Sequence, residues 1–271
     1  MEDISKCPIC GKEKESNYNA FAQKTFYKEC KCEREKRLRE EAEKKDKALD
    51  TIFKKRTAAS YIRKREEAAF FSDLIVDEHN EKAINGAKYI TDLMLKKERP
   101  DKNGLILSGN RGSGKTYIAA AIINEYNKNE PVRESTLNAV IKAHNNGFFD
   151  DLGVNIGSRC RFIKENDVIR FSEKYSYKEK ESPIDEFKNA EILVVDDLGS
   201  SYGDSKKIMS ILFDLFDYRY SQGLSTIITT NLSKEELRVY VGERSFDRLT
   251  NCCHCIALTS PESRRKVDFC S

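Results

Sequence analysis

The chain has 271 residues, of which 34% are charged, and its 48 lysines and arginines against 45 aspartates and glutamates leave a formal net charge of +3. This balance excludes a polybasic tail protein and an electrostatic nucleic-acid coat, but it is compatible with a local basic face. No apolar stretch approaches about 18 residues, which excludes a transmembrane helix, and residues 1–6 lead into no apolar segment of the secretory kind. We therefore expect a cytoplasmic protein of one or two domains, with no role for a membrane.

Four of the nine cysteines lie within the first 32 residues. Cys7 and Cys10 flank a tight turn, and Cys30 and Cys32 follow after 19 intervening residues. Four thiolates suit a tetrahedral structural Zn²⁺ ion, and the segment has too few aliphatic residues to fold by burial alone. A redox pair is the alternative, although the βαβ surroundings of thioredoxin-like motifs are missing. The spacing predicts a zinc-binding module over residues 1–32.

After the cysteine segment comes a stretch of charged residues, and the spacing of apolar residues changes further along the chain. Residues 33–50 are charged at 14 of 18 positions and lack Gly and Pro, which predicts a charged helical linker over 33–60. Residues 60–97 have mainly helical apolar spacing. Beyond Pro100, apolar strands alternate with helices, so we predict an α/β domain over 61–271 with a parallel sheet flanked by helices. The predicted strands are 104–108, 160–164, 191–197 and 224–230, and the predicted helices are 117–127, 166–175 and 205–221.

A glycine-rich loop joins the first of these strands to a helix. It fits the phosphate-loop pattern G-x-x-x-x-G-K-[ST] and comprises Gly109, Asn110, Arg111, Gly112, Ser113, Gly114, Lys115 and Thr116. Its glycines let backbone N–H groups converge on a polyphosphate at a helix N-terminus. We expect Lys115 to reach the β- and γ-phosphates of ATP and Thr116 to offer its hydroxyl to Mg²⁺.

Two carboxylates, Asp196 and Asp197, follow the apolar run Ile192–Val195. Ligands of open α/β sheets bind at the carboxyl ends of the strands. We predict that Asp196 holds the Mg²⁺ shell and that Asp197 orients or deprotonates the attacking water. Without a phosphate loop, such a pair is more often a helix cap or a turn. Together with the phosphate loop, the pair of carboxylates predicts an ATPase that converts ATP to ADP and phosphate.

These motifs resemble those of the AAA+ ATPases of the bacterial and phage helicase-loader type (DnaC/DnaI-like) and of the related transposition helper ATPases (IstB-like), over roughly residues 103–266. Residues 226–231 resemble the sensor-1 strand, which implies that Asn231 hydrogen-bonds the γ-phosphate or the lytic water. Residues 243–249 resemble the arginine-finger segment. This implies that Arg248, supported by Arg244, stabilises charge on the nucleotide of the next subunit, although spacing alone does not separate the two.

Near the end of the chain, Arg264 resembles the sensor-2 arginine, which implies a contact with the nucleotide of its own subunit. The sequence lacks the Gly and Tyr that often precede that arginine, and Arg265 is the alternative.

The resemblance implies a protein that loads the replicative helicase hexamer onto single-stranded DNA and assembles as an ATP-dependent homo-oligomer. Loaders of the DnaI type have an N-terminal zinc module that contacts the helicase. Two alternatives remain: an IstB-like transposition helper that binds duplex DNA and a transposase, and a nucleotide-gated adaptor with negligible turnover. Candidate single-stranded DNA contacts are basic and aromatic, namely Arg159, Arg161, Lys174, Tyr175, Tyr177 and Lys178.

Two further segments carry expectations. Residues 131–157 have the look of an insertion, which we expect to be a functional or mobile loop. Residues 251–256 contain Cys252, Cys253, His254 and Cys255. Neighbouring residues of a strand point to opposite faces, so this segment predicts a core strand with buried thiols rather than a second metal site.

Overall fold

The chain divides into two units, which are described separately. The computed structural model describes residues 5–146, 156–174, 183–201 and 203–259. The first unit comprises Met1–Ile52 and Val132–Asn155, and the second comprises Phe53–Pro131 and Ile156–Ser271.

The first unit contains a small hairpin and a long charged helix. β1 (Ser16–Asn19) pairs antiparallel with β2 (Lys24–Tyr27), and every residue of both strands is exposed. The predicted charged helix is present, since α1 runs over Lys31–Ala59. Ion pairs at i,i+4 such as Lys36–Glu40 and Arg37–Glu41 line its solvated surface.

The expectation of a loop over 131–157 was wrong for its first half. Glu134–Asn146 form a helix, α4, in which Val140 is buried. Leu137, Val140 and Ile141 stand at helical spacing, and this short apolar stripe explains the helix. Residues 147–155 lie outside the described residues.

A five-stranded parallel sheet forms the centre of the second unit, which confirms the predicted fold class. Its strand order is β4-β5-β6-β3-β7. The strands are β3 (Gly104–Gly109), β4 (Cys160–Lys164), β5 (Ile192–Leu198), β6 (Ser225–Thr230) and β7 (Cys253–Leu258). The central strands are apolar on both faces because helices cover both.

Helices cover the two faces of this sheet. They are α2 (Glu81–Leu95), α3 (Lys115–Asn129), α5 (Glu165–Lys174), α6 (Pro183–Asn189), α7 (Ser205–Ser221), α8 (Lys234–Val241) and α9 (Glu243–Cys252). Leu105 and Leu107 of β3 face the core beneath α2 and α3, whereas Ile106 faces the core beneath α7 and α9. In the described part of the chain, no helix has the length and apolarity needed to cross a membrane.

Two predictions from side-chain patterns were only partly correct, since α2 and β7 are present but the rest of each prediction fails. Residues 61–80 are turns with a single 3-10 turn at Phe71–Asp73; Tyr61 adopts a φ of +59°, which ends the right-handed helix before it, and Ile75 is exposed. The thiols of the strand β7 are only partly buried, since Cys253 is buried and Cys255 is exposed. β7 pairs with β3 alone in the described sheet, and its outward-facing residues reach solvent.

Candidate nucleotide site and cysteine cluster

The phosphate loop follows the carboxyl end of β3 and leads into α3. Gly114, which precedes the first residue of α3, has a φ of +97°, a backbone conformation that side chains disfavour. At Gly109, an added Cβ would lie 2.2 Å from the carbonyl oxygen of Leu258 on the neighbouring strand. The glycines of the motif are therefore required by the path of the backbone.

Lys115 lies almost buried inside this loop, with its ammonium group in contact with polar atoms. Its Nζ donates to the carbonyl oxygens of Gly109 and Asn110 at 2.7 and 2.8 Å, and it lies 3.3 Å from Ser113 Oγ. It also donates to Asn231 Oδ1 at 2.9 Å. The structure therefore brings the predicted phosphate-binding lysine and the sensor-1 candidate into contact.

Asp196 and Asp197 occupy the end of β5 and point to different partners. Asp196 is only 2% exposed, and its Oδ1 accepts the hydroxyls of Thr116 at 2.8 Å and Thr229 at 2.7 Å. Asp197 Oδ1 accepts Asn231 Nδ2 at 3.1 Å, and its φ of +61° is uncommon for a residue with a side chain. Thr116 and Asp196 offer adjacent hard oxygens, the donor set that Mg²⁺ prefers.

Arg63 is a residue of this site that the sequence did not reveal. Its NH2 nitrogen lies 3.2 Å from Asp196 Oδ2, and it also pairs with Glu66 at 3.0 Å. Arg63 and Glu66 belong to the segment between α1 and α2, which carries no motif. Because Arg63 and Asp196 are 133 positions apart in the sequence, no local pattern predicts their contact.

Glu165 is the second residue that motif reasoning missed. Its fully buried Oε2 accepts the backbone N–H groups of Gly199, Ser200 and Ser201 at 3.0 Å each. These three residues follow Asp197 and β5, so Glu165 fixes the backbone just beyond the catalytic candidate. Its place directly after β4, at the same edge as Asp196, is the signal that could have identified it.

A cavity of about 770 Å³ opens at this edge of the sheet. Its walls include the phosphate loop, both acids and Asn231, and Arg63 and Ile75 also line it. The volume falls in the range of small-ligand sites, which is roughly 300–1,000 Å³.

The two arginine-finger candidates of α9 have different surroundings. Arg248 forms an ion pair with Asp217 and stands 5.1 Å from the Phe213 ring centre and 6.0 Å from that of Tyr220. Arg244, one turn earlier, is exposed and makes no ion pair among the described residues. The sensor-2 candidates Arg264 and Arg265 lie outside those residues.

Of the candidate DNA contacts, the two arginines that the structure describes both form ion pairs with glutamates. Arg159 pairs with Glu130 at 3.2 Å and with Glu191 at 2.8 Å, and Arg161 pairs with Glu186 at 3.2 Å. The side chain of Lys174 and residues 175–178 lie outside the described part. No open basic surface arises from the two described arginines.

In the first unit, the four predicted metal ligands come together. The Sγ atoms of Cys7, Cys10, Cys30 and Cys32 all lie within 4.8 Å of one another, and the Cys10–Cys30 distance is 3.7 Å. Sulfurs at about 2.3 Å from a tetrahedral Zn²⁺ ion are about 3.8 Å apart, so the geometry fits this ion.

Local hydrogen bonds shape the turn that carries the first pair of cysteines. The N–H of Gly11 donates to Cys7 O at 2.9 Å, and the N–H of Cys7 donates to Lys12 O at 2.8 Å. A hydrogen bond from the backbone of Lys12 lowers the pKa of Cys10 to about 7, whereas the side chain of Cys10 raises the pKa of Cys32 to about 11. The Cys10 thiolate thus forms readily near neutral pH.

Comparison with known proteins extends these observations. Residues 105–249, which are 145 of the 271 in the chain, match the family described as ATPase family associated with various cellular activities (AAA). No curated protein matches the chain in sequence.

Solved structures share the fold at low sequence identity. The crystal structure of the DnaC helicase loader is 20% identical, with a TM-score of 0.50 over 72% of this chain and 99% of that one. AMPPCP-bound DnaA from Aquifex aeolicus is 16% identical, with a TM-score of 0.51 over 76% of this chain and 53% of that one. The crystal structure of DnaI is 24% identical, with a TM-score of 0.49 over 76% and 95%. At such identities, the likeness of this chain to DnaC and to DnaA is one of fold.

Proposed function

The chain belongs to the AAA ATPase family, and on that premise we propose that it is an ATP-dependent loader of the replicative DNA helicase onto single-stranded DNA. The observation that carries the proposal is the presence, in one chain, of a nucleotide site whose motif residues touch one another and an N-terminal cluster of four cysteines. This combination resembles that of helicase loaders of the DnaI type.

In this proposal, ATP is hydrolysed at the edge of the sheet. Lys115 binds the β- and γ-phosphates, and Thr116 and Asp196 hold Mg²⁺, which neutralises phosphate charge when bound. Asp197 orients the attacking water and accepts its proton, and Asn231 keeps the Asp197 carboxylate in place through the 3.1 Å hydrogen bond.

A second subunit completes the site by supplying an arginine. The contacts of the two candidates favour Arg244 as the finger and Arg248 as its support, which reverses the order implied by the resemblance. Arg248 is engaged by Asp217 and two aromatic rings, whereas Arg244 is exposed on the same helix. We expect Arg244→Ala to lower ATP turnover about 1,000-fold while ATP binding persists, and Arg248→Ala to destabilise the packing of α9 on α7 as well.

The cysteine cluster supplies the helicase contact. Cys7, Cys10, Cys30 and Cys32 hold one Zn²⁺ ion, and the small module that this ion stabilises binds the helicase hexamer. Single-stranded DNA is engaged by surfaces assembled in the oligomer, because the isolated chain is close to neutral.

The experiment is a pull-down and loading assay with the replicative helicase and the transposases of the same organism. We expect the full-length chain to retain the helicase and to transfer it to circular single-stranded DNA when ATP is present. Cys7→Ser should lose helicase binding, whereas Lys115→Ala should bind helicase but fail to load it. Retention of a transposase in place of the helicase would contradict the loader function and support the transposition helper.

A further inference from the structure

Arg63 connects the segment between α1 and α2 to the carboxylate proposed to hold Mg²⁺. Its NH2 nitrogen lies 3.2 Å from Asp196 Oδ2, and its guanidinium carbon stands 5.5 Å from the centre of the Phe162 ring. The guanidinium also pairs with Glu66, with Nε–Oε2 and NH2–Oε1 distances of 3.0 Å each. An arginine from outside every recognised motif thus reaches the centre of the site.

The backbone around Arg63 is tied to α3. Asn124 Nδ2 donates to the carbonyl oxygens of Glu66 at 2.9 Å and Ala69 at 2.8 Å, and all three residues are buried. The Tyr117 hydroxyl donates to Arg65 O at 3.3 Å. Since α3 begins at the phosphate loop, the segment that carries Arg63 is fixed relative to that loop.

Asp196 uses its two oxygens for different partners. Oδ1 accepts the hydroxyls of Thr116 and Thr229, and Oδ2 faces Arg63. A buried carboxylate needs a compensating charge, and Arg63 supplies one at contact distance. A divalent cation bound by Thr116 and Asp196 would bring two more positive charges close to the guanidinium, and their repulsion would weaken the contact between Arg63 and Asp196. Arg63 and Mg²⁺ therefore compete for Asp196.

We propose that Arg63 is a built-in counter-cation of Asp196 that yields this carboxylate to Mg²⁺ and so sets the Mg²⁺ concentration at which the nucleotide site fills with metal. The two contacts with Glu66 remain available to Arg63 when it leaves Asp196, so the guanidinium keeps a partner. The part of the proposal that concerns nucleotide rests on the proposed function. The pairing of Arg63 with Asp196 rests on its own contacts.

The first test titrates Mg²⁺ against binding of the fluorescent nucleotide N-methylanthraniloyl-ATP to the full-length protein. Arg63→Gln removes the charge, Arg63→Lys keeps it, and Lys64→Gln neutralises an exposed neighbour outside the cavity wall. We expect the Mg²⁺ midpoint to fall about 10-fold in Arg63→Gln and to stay within about twofold of wild type in the other two variants. An unchanged or higher midpoint in Arg63→Gln would overturn the proposal.

A second pair of measurements separates competition from direct phosphate binding and from loss of fold. Without added Mg²⁺, Arg63→Gln should bind the nucleotide as tightly as wild type, and weaker binding there with an unmoved midpoint would make Arg63 a phosphate ligand instead. Without nucleotide or Mg²⁺, Arg63→Gln should unfold at a lower temperature than Lys64→Gln, and this difference should be smaller in an Asp196→Asn background, where only the contacts of Arg63 with Glu66 remain to be lost. If the wild-type chain binds no nucleotide, the proposed function fails, while the unfolding comparison still supports or refutes the pair.

Discussion

The two units of the chain are stabilised in different ways. In the second unit, apolar residues of the sheet and helices form two buried clusters, one on each face of the sheet. In the first unit, both strands of the hairpin are exposed throughout, and the group of four sulfurs brings residues 7–10 and residues 30–32 together. Phe21 at the tip of the hairpin is fully exposed.

This difference shows what each unit requires before it can function. A unit with a core can hold polar side chains in position, as Lys115, Asp196 and Asn231 are held by hydrogen bonds among protein groups. The exposed hairpin and the cysteine-bearing segment around it would depend on what the sulfurs bind, since binding of a structural metal supplies folding free energy. Changes that remove the metal and changes that remove polar contacts should therefore affect different halves of the chain.

The largest expected effect is the loss of the zinc module in Cys30→Ser. One of four ligands is removed, so the bound Zn²⁺ should fall from about one equivalent to none, and the hairpin should become sensitive to protease. Nucleotide binding by the second unit should remain, because its core is independent of the metal. Elemental analysis and limited proteolysis measure both results, with Cys255→Ser, an exposed thiol outside the cluster, as control. Full zinc content in Cys30→Ser would refute the site.

A complementary change, Arg219→Met, disrupts the second unit alone. The buried Arg219 donates to the carbonyl oxygens of Phe187, Lys188, Ala190 and Ser225. Burial lowers its pKa to about 9, so the guanidinium stays charged at neutral pH. Removing it leaves several buried acceptors unpaired, which we expect to cost about 4 kcal/mol in the free energy of unfolding measured in urea.

The matched control for this change is Arg238→Met, which removes an exposed arginine paired with Glu243 and should have little effect. Zinc content should stay at about one equivalent in both variants. A stability of Arg219→Met equal to that of the control would contradict the role assigned to the buried arginine.

Lys115→Ala should abolish the function of the second unit while leaving its fold intact. The ammonium group proposed to bind the phosphates is lost, so we expect ATP affinity to fall at least about 100-fold. Isothermal titration calorimetry measures the affinity, and circular dichroism checks the fold. An ATP affinity of Lys115→Ala equal to that of wild type would contradict the assignment of the phosphate loop.

The smallest effect is expected at a helix cap. Ser233 Oγ accepts the N–H of Glu236, and the Glu236 carboxylate accepts the N–H of Ser233, which together form a capping box at the start of α8. Ser233→Ala should cost about 1 kcal/mol in the free energy of unfolding, and Ser233→Asn should restore most of it. Equal stabilities of the Ala and Asn variants would show that the cap contributes nothing.

The sequence was sufficient for those features that have a local pattern. The phosphate loop, the two acids near the end of β5 and the four cysteines follow from fixed spacing, and the parallel sheet follows from alternating strands and helices. Arg63 could not be inferred, because its contact with Asp196 joins residues far apart in sequence, whereas Glu165 was missed although its position directly after β4 was a usable signal. The hairpin escaped notice because both of its faces are exposed, so its strands lack the apolar alternation on which strand prediction depends.

The central claim is that the edge of the sheet carries out Mg²⁺-dependent hydrolysis of ATP. The most direct measurement compares phosphate release by the wild-type chain and by Asp197→Asn, at saturating ATP and Mg²⁺, with single-stranded DNA and helicase present. We predict turnover by the wild type and a loss of at least about 100-fold in Asp197→Asn, with ATP affinity within about twofold of wild type. Equal rates for the two proteins, or no turnover by either, would contradict the account.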